Sequence, residues 1–260
     1  MCANYNMDSA DSKADSSADN NVPMVYVDKC IDLSAKQKDI TMFQSIRENW
    51  LSWTFFFIAV YLISKDNPWL GYVTFFLAIF AAYVGHVYLH QVDNLFTCLH
   101  RYHHEHNNYF SHYSQVVLEI NCASVCYLLY QVTGELWGDP WTLFFALFFY
   151  STVHNINYGY FRVNDVHRLH HKDVYANIGP DIFDVMFGSK HPTEACVENT
   201  NHYIPNIIIG AAITLAAKYM YENNELVSTW TPNVLFIFFT CTLTFALVSS
   251  VYIQWFMNKK

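Results

Sequence analysis

The chain has 260 residues, 53% of them apolar, 18% aromatic and only 14% charged. Ordinary soluble domains carry about a quarter charged residues, so the composition points away from them and toward a membrane protein with polar caps. Net charge is −8, much of it in the N-terminal tail, and no basic patch exists, which argues against a nucleic-acid binder.

Residues 1–24 are mostly Asp, Ser, Ala and Asn. They hold too little apolar surface to order themselves and are expected to form a disordered acidic tail. No apolar stretch there reads as a signal peptide. Residues 25–48 form a juxtamembrane segment, amphipathic toward its end. The first apolar run is 49–64, "NWLSWTFFFIAVYLIS". The second, 69–85, continues helically to His90 and is preceded by Asn67-Pro68, a good N-cap followed by the residue best suited to a first helical position. The third run is about 115–133. The fourth, about 140–156, opens on Asp139-Pro140, with the same cap grammar. A fifth covers 204–221, and a sixth covers 232–256, opening on Thr231-Pro232. A bilayer core takes about 20 apolar residues, so the first run is marginal and the last generous. The third run carries almost no ionisable groups. The seven cysteines are scattered, odd in number and lack a C-x-x-C pair, which suits a reducing compartment.

The histidines fall on one side of this map. His86 and His90 close the second run, and "HRYHHEH" at 100–106 follows at once. Runs three and four carry the chain away and back; His154 closes run four, and "HRLHH" follows at 167–171. If the N-terminus is cytosolic, all lysines and arginines except Lys65 and Lys218 share that side, a strong positive-inside signal. The histidines are therefore expected to face the cytosol.

Residues at i, i+3 and i+4 share a helical face. The pair His86 and His90, the triplets His100, His103, His104 and His167, His170, His171, and the single His154 thus offer nine imidazoles, and neutral imidazole is a common metal ligand. One metal takes about four to six ligands, so two metals are the natural count. Thiolates at zinc-site spacing are missing; all-nitrogen ligation suits Fe, Cu, Ni or Zn, which spacing does not separate. His106, His112, His191 and His202 stand singly and are expected to be solvated or packed residues. Glu105, Asp165 and Asp173 neighbour the histidine phrases and are candidates to fix an imidazole tautomer.

The segments "GHVYLHQVDNLFTCLHRYHHEHNNYFSHYSQVVLE" and "VHNINYGYFRVNDVHRLHHKDVYANIGPDIFDVMFGSK" resemble the fatty acid hydroxylase / sterol desaturase superfamily, over about residues 83–190. The match lies in the combination: H-x3-H, then H-x2-H-H with Glu105 next, a further H-x2-H-H, the turn Asn177-Ile178-Gly179, and Asp184 before Phe187-Gly188-Ser189. Three departures stand out. Tyr158 occupies the position where some members complete an H-x3-H with His154, the interval from His154 to His167 is short, and two apolar runs follow the usual end.

The resemblance implies an all-α, multi-span membrane bundle of about four core spans at 49–190 with a cytosolic histidine-rich helical cap; runs five and six are expected to add a C-terminal apolar helix pair at 191–260. It implies two non-haem iron ions held by the nine histidines, with Asp184 a supporting residue. O2 would be co-substrate, and a bilayer lipid, fatty acyl or sterol in type, would be hydroxylated, desaturated or demethylated. No "HPGG" occurs, so the electron donor, of cytochrome b5/reductase or ferredoxin type, is expected to be separate. The expected location is an integral multi-pass membrane protein, in the endoplasmic reticulum if the source is eukaryotic. The rival reading is a histidine-rich metal transporter or metal-binding membrane protein, disfavoured because transport sites usually lie near the midplane of the spans.

Overall fold

The structure, a computed structural model, describes residues 41–257 except 93, 96, 107, 134–137 and 192–196, and their side chains except those of 122–131 and 256–257. The expected tail at 1–24, and the juxtamembrane segment as far as residue 40, lie outside the described residues. Among those residues every regular element is helical. In chain order they are α1 (Met42–Glu48), α2 (Trp50–Ile63), α3 (Pro68–Gln91), α4 (Thr97–Glu105), α5 (Tyr109–Thr133), α6 (Pro140–Thr152), a π-helical continuation (Val153–Tyr160), α7 (Val166–His170), α8 (Asp181–Phe187), a 3-10 turn (Thr200–Tyr203), α9 (Ile204–Asn223), α10 (Glu225–Tyr252) and a closing π-helical turn (Ile253–Met257).

The caps follow from the sequence. Asn67 Oδ1 accepts from Leu70 N at 3.2 Å and Asp139 Oδ1 from Thr142 N at 2.7 Å, each with proline as the first helical residue. The last helix departs from expectation. It begins at Glu225, capped by Asn224 Oδ1 accepting from Val227 N at 3.2 Å, and Pro232 lies inside it. Thr231 is therefore not its cap. An interior proline removes one backbone bond but does not stop a helix whose upstream turn has its own cap.

Three helical stretches are long and apolar enough to cross a bilayer: Pro68–Gln91, Thr200–Asn223 and Glu225–Trp255. Large apolar side chains, among them Phe57, Leu62, Trp69, Leu77 and Phe236, point outward. Such a surface is untenable in water and natural in lipid. Inside, α2, α3, α6 and α9 share one core of Phe56, Phe75, Phe145, Phe149 and Ile207. Phe56 meets Phe149 edge-on at 4.6 Å and Phe75 at 5.0 Å; such pairs contribute about 0.5–1.5 kcal/mol each beyond area burial. In lipid the helices gain little from excluding water, so close packing matters more. Gly210 shows this, since a Cβ there would come within 3.1 Å of the Phe148 ring. A second core of Leu99, Tyr102, Leu118, Ala246 and Ile253 joins α4, α5, α10 and the π-helical turn that follows it. The last two apolar helices are thus built into the bundle. At the end away from the histidines, Lys218 of α9 donates to Ile63 O at 3.0 Å, satisfying a free carbonyl at the end of α2, and faces Asp66 at 3.4 Å.

Candidate metal centre

Eight of the nine expected histidines gather into two groups at one end of the bundle. His86, His90, His100, His104 and His170 form one group, and His103, His167 and His171 the other. Within each group the ligand atoms lie within 4.8 Å of one another. The local helices divide each phrase between the groups. On α4 the i, i+4 pair His100 and His104 goes to the first group and His103 to the second. At α7 the pair His167 and His171 goes to the second and His170 to the first. A shared helical face was expected to deliver three imidazoles to one place; three on a face diverge enough to serve two.

In the first group four Nε2 atoms close a quadrilateral. His86 to His100 is 3.1 Å, His100 to His90 3.0 Å, His90 to His170 3.2 Å and His170 to His86 3.1 Å, with His104 Nε2 3.2 Å from His100. A square of such edges has its centre about 2.2 Å from each corner, close to a metal–imidazole bond of about 2.1 Å. Tautomers decide what faces that centre. His86 Nδ1 donates to Ile178 O at 2.8 Å, His170 Nδ1 to Ala176 O at 2.8 Å and His100 Nδ1 to Gln115 Oε1 at 3.0 Å. Each acceptor is an oxygen without a proton, so each Nδ1 carries the hydrogen and each Nε2 presents a lone pair. Lone pairs 3.1 Å apart repel one another unless a cation lies among them. The donor set fits a metal ion.

The second group is also made of imidazoles alone, with fewer members. His167 Nε2 and His171 Nε2 are 2.9 Å apart. His103 Nδ1 faces Ser111 Oγ at 3.3 Å, and its buried Nε2 has no hydrogen-bond partner among the described residues. His154 lies beside this group, its ring 4.6 Å from His167 and 5.9 Å from His103. On α3 its ring contact is with His86, at 6.4 Å. The Nδ1 of His154 makes a short bond to Glu119 Oε1, and its buried Nε2 also lacks a partner. Buried orphan nitrogens are rare and call for an explanation; a metal ion would supply one here. The π-helical stretch that begins at Val153 carries His154, and π-turns recur at functional sites.

Burial, with neighbouring imidazoles adding to it, pushes His103 down to about 2, His170 to about 3 and His171 to about 4. The same causes hold His100, His104 and His167 well below the ordinary imidazole value. All six are therefore neutral near pH 7, the form that ligates metals.

The other expected residues take varied places. Asp184 is buried and accepts from Ile178 N at 3.0 Å, Gly179 N at 2.8 Å and Ser189 Oγ at 2.7 Å. It thereby fixes the turn whose Ile178 carbonyl orients His86, and burial raises its carboxyl to about 7. Asn177, at φ 50°, and Gly179, at φ 70°, shape that turn, which needs residues tolerant of left-handed backbone. Asp165 is exposed and paired with Arg168 at 2.9 Å; Asp173 accepts from Tyr175 N at 3.1 Å; Glu105 is exposed. Tyr158 turns its hydroxyl to Glu198 and Tyr203, and its ring stacks on His167 at 5.9 Å. His202 bonds Glu198 at 3.2 Å, His106 stacks on Tyr102 at 4.0 Å, and the His112 ring lies 5.7 Å from His103. At His191 the backbone N–H bonds Asn177 Oδ1 at 2.9 Å.

Sequence reasoning missed Gln115 and Glu119. They stand at i, i+4 on α5, both buried, and Gln115 Nε2 donates to Glu119 Oε1 at 3.1 Å. The signal was present: a carboxylate in an apolar run is expensive in lipid and marks function by default. No protein family, curated protein or solved structure matches the chain.

Proposed function

We propose that this chain is a multi-pass membrane enzyme carrying two non-haem iron ions, which uses O2 to oxidise an alkyl group of a bilayer lipid. The observation that carries the reading is the division of each histidine triplet between two groups whose ring nitrogens converge, at one end of an apolar bundle. The resemblance of residues 83–190 to the fatty acid hydroxylase / sterol desaturase superfamily supports it, as does the cost of leaving the first group's Nε2 lone pairs uncompensated. His86, His90, His100, His104 and His170 would hold one ion; His103, His167 and His171, joined by His154, would hold the other.

Bound there, the ions supply the activation of O2 that breaking an unactivated C–H bond demands. The chain's own residues do the rest. Ile178 O, Ala176 O, Gln115 and Glu119 keep protons on the Nδ1 atoms and so keep Nε2 free. Asp184 holds the turn that orients His86. The apolar helices exclude water and offer an alkyl chain a route from the bilayer. For hydroxylation the balance is RH + O2 + two electrons + two protons giving ROH + H2O, so a separate electron donor of cytochrome b5/reductase or ferredoxin type must meet the histidine end. The lysine and arginine bias puts that end in the cytosol, with the endoplasmic reticulum the expected membrane in a eukaryotic source.

Lipid profiles of cells with and without the chain, and with His104→Ala, test the reading. A hydroxylated, desaturated or demethylated lipid that depends on His104 supports it. An unchanged profile, from protein shown to carry both irons and supplied with reductant, overturns it.

A further inference from the structure

Glu119 is a buried carboxylate with all its acceptor capacity in use. Oε1 accepts from His154 Nδ1 and from Gln115 Nε2. Oε2 accepts from Ser151 Oγ at 2.8 Å and Asn155 Nδ2 at 2.7 Å. It is therefore not a metal ligand. Its two branches reach different histidine groups: one ends directly on His154, beside the second group, and the other passes through Gln115, whose Oε1 takes the Nδ1 proton of His100 in the first.

We infer that Glu119 is the positioning residue that sets the tautomers of His154 and His100 together, and so supports both metal positions at once. The inference rests on the reading that both groups hold metal. A carboxylate is the one side chain here that accepts without donating, so it admits only the Nδ1–H form of His154 and leaves Nε2 as the ligand atom. The same oxygen holds the Gln115 amide with its nitrogen toward Glu119 and its oxygen toward His100. Were the amide to flip, it would present N–H to His100, which would then carry its proton on Nε2, facing the metal. Outer partners of this kind affect metal affinity by about 10–100-fold.

Full-length protein in detergent, stripped of metal, is titrated with Co(II) and followed by its visible bands, with His171→Ala identifying the step that belongs to the second group. Wild type is expected to take two ions. Glu119→Met fills the same space without an acceptor, so loss there reports hydrogen bonding and not packing. It should weaken the second-group step by about 100-fold and the first by about tenfold. Glu119→Gln, whose amide oxygen can still take both Oε1 donors, should restore both steps to within a few-fold. Gln115→Met cuts one branch and should weaken the first group alone, which keeps the test open if Glu119→Met does not fold. In zinc-loaded protein labelled with ¹⁵N histidine, the Nδ1–H signal absent from His154→Ala should also be lost in Glu119→Met. Wild-type affinity at both steps in Glu119→Met, or in Gln115→Met at the first, overturns the inference while leaving the two-metal reading intact. Failure of wild type to bind any Co(II) overturns that reading and the inference with it.

Discussion

The two histidine groups are built from the same parts and are not equal. Each draws an i, i+4 pair from one triplet and a single histidine from the other. The first also has the i, i+4 pair His86 and His90 at the end of α3. The corresponding pair beside the second group is His154 and Tyr158, and Tyr158 turns its hydroxyl away to Glu198. The first group is thus a closed quadrilateral with a fifth member, and the second is three histidines with one neighbour. The first is suited to hold an ion tightly; the second offers fewer imidazoles. Under the proposed oxidase reading, the position with fewer imidazoles is the one that would take up O2.

The largest effect should come from breaking the quadrilateral. His100→Ala or His170→Ala is expected to lower turnover by more than about 100-fold, since loss of an outer partner alone costs 10–100-fold in affinity or activity. Expression in the membrane should stay near wild type, because the aromatic core lies away from the site; product formation normalised to protein level checks both. His154→Ala asks whether the second group is really four. It should lose activity as fully as His104→Ala, while His112→Ala and His202→Ala keep most of theirs. Near-wild-type turnover in His154→Ala would reduce the second position to three histidines.

Acid should separate metal-free from metal-loaded protein. His103, His170 and His171 titrate at about 2, 3 and 4 in the fold, below the ordinary value of 6.5. The unfolded chain therefore takes up protons that the fold refuses, and metal-free stability should fall as pH drops below 6.5, continuing toward about 2. Thermal unfolding of the stripped protein from pH 7.5 to 5 measures the slope. A flat profile would contradict the neutral, buried state of the rings. The smallest effect belongs to Tyr158→Phe. Since the hydroxyl faces Glu198, the variant should keep two ions with affinities within about threefold of wild type, well inside the 10–100-fold loss seen when a true outer partner goes. A larger drop would make the tyrosine part of the site.

Much of this was legible in the chain. Asn67-Pro68 and Asp139-Pro140 marked two helix starts because cap and proline are local chemistry. Asn224 was overlooked because Pro232 looked like the stronger punctuation, and only the three-dimensional course shows the helix passing through it. The gathering of the histidines was legible from i, i+3, i+4 spacing. Their division was not, since spacing tells which residues share a face and not what the edges of that face meet. Glu119 was missed for a related reason: its partners His154, Asn155 and Ser151 are more than 30 residues away, on another helix.

Lys218, tied to the end of α2, and His202, tied to Glu198, stand like marks on a ruler along the Thr200–Asn223 stretch. Sixteen helical positions separate them, or about 24 Å, and the α2 helix packed alongside has 14 residues, about 21 Å. A typical hydrocarbon core is about 30 Å thick. In a bilayer α2 would be shorter than its surroundings, while α3 and the Thr200–Asn223 stretch, at 24 residues each, would not. The protein should therefore prefer thin membranes or tilt to meet thick ones. Reconstitution into phosphatidylcholines of increasing acyl length should show the highest thermal stability at the short end; a maximum in the thickest bilayer would mean that the ruler is read from the wrong marks.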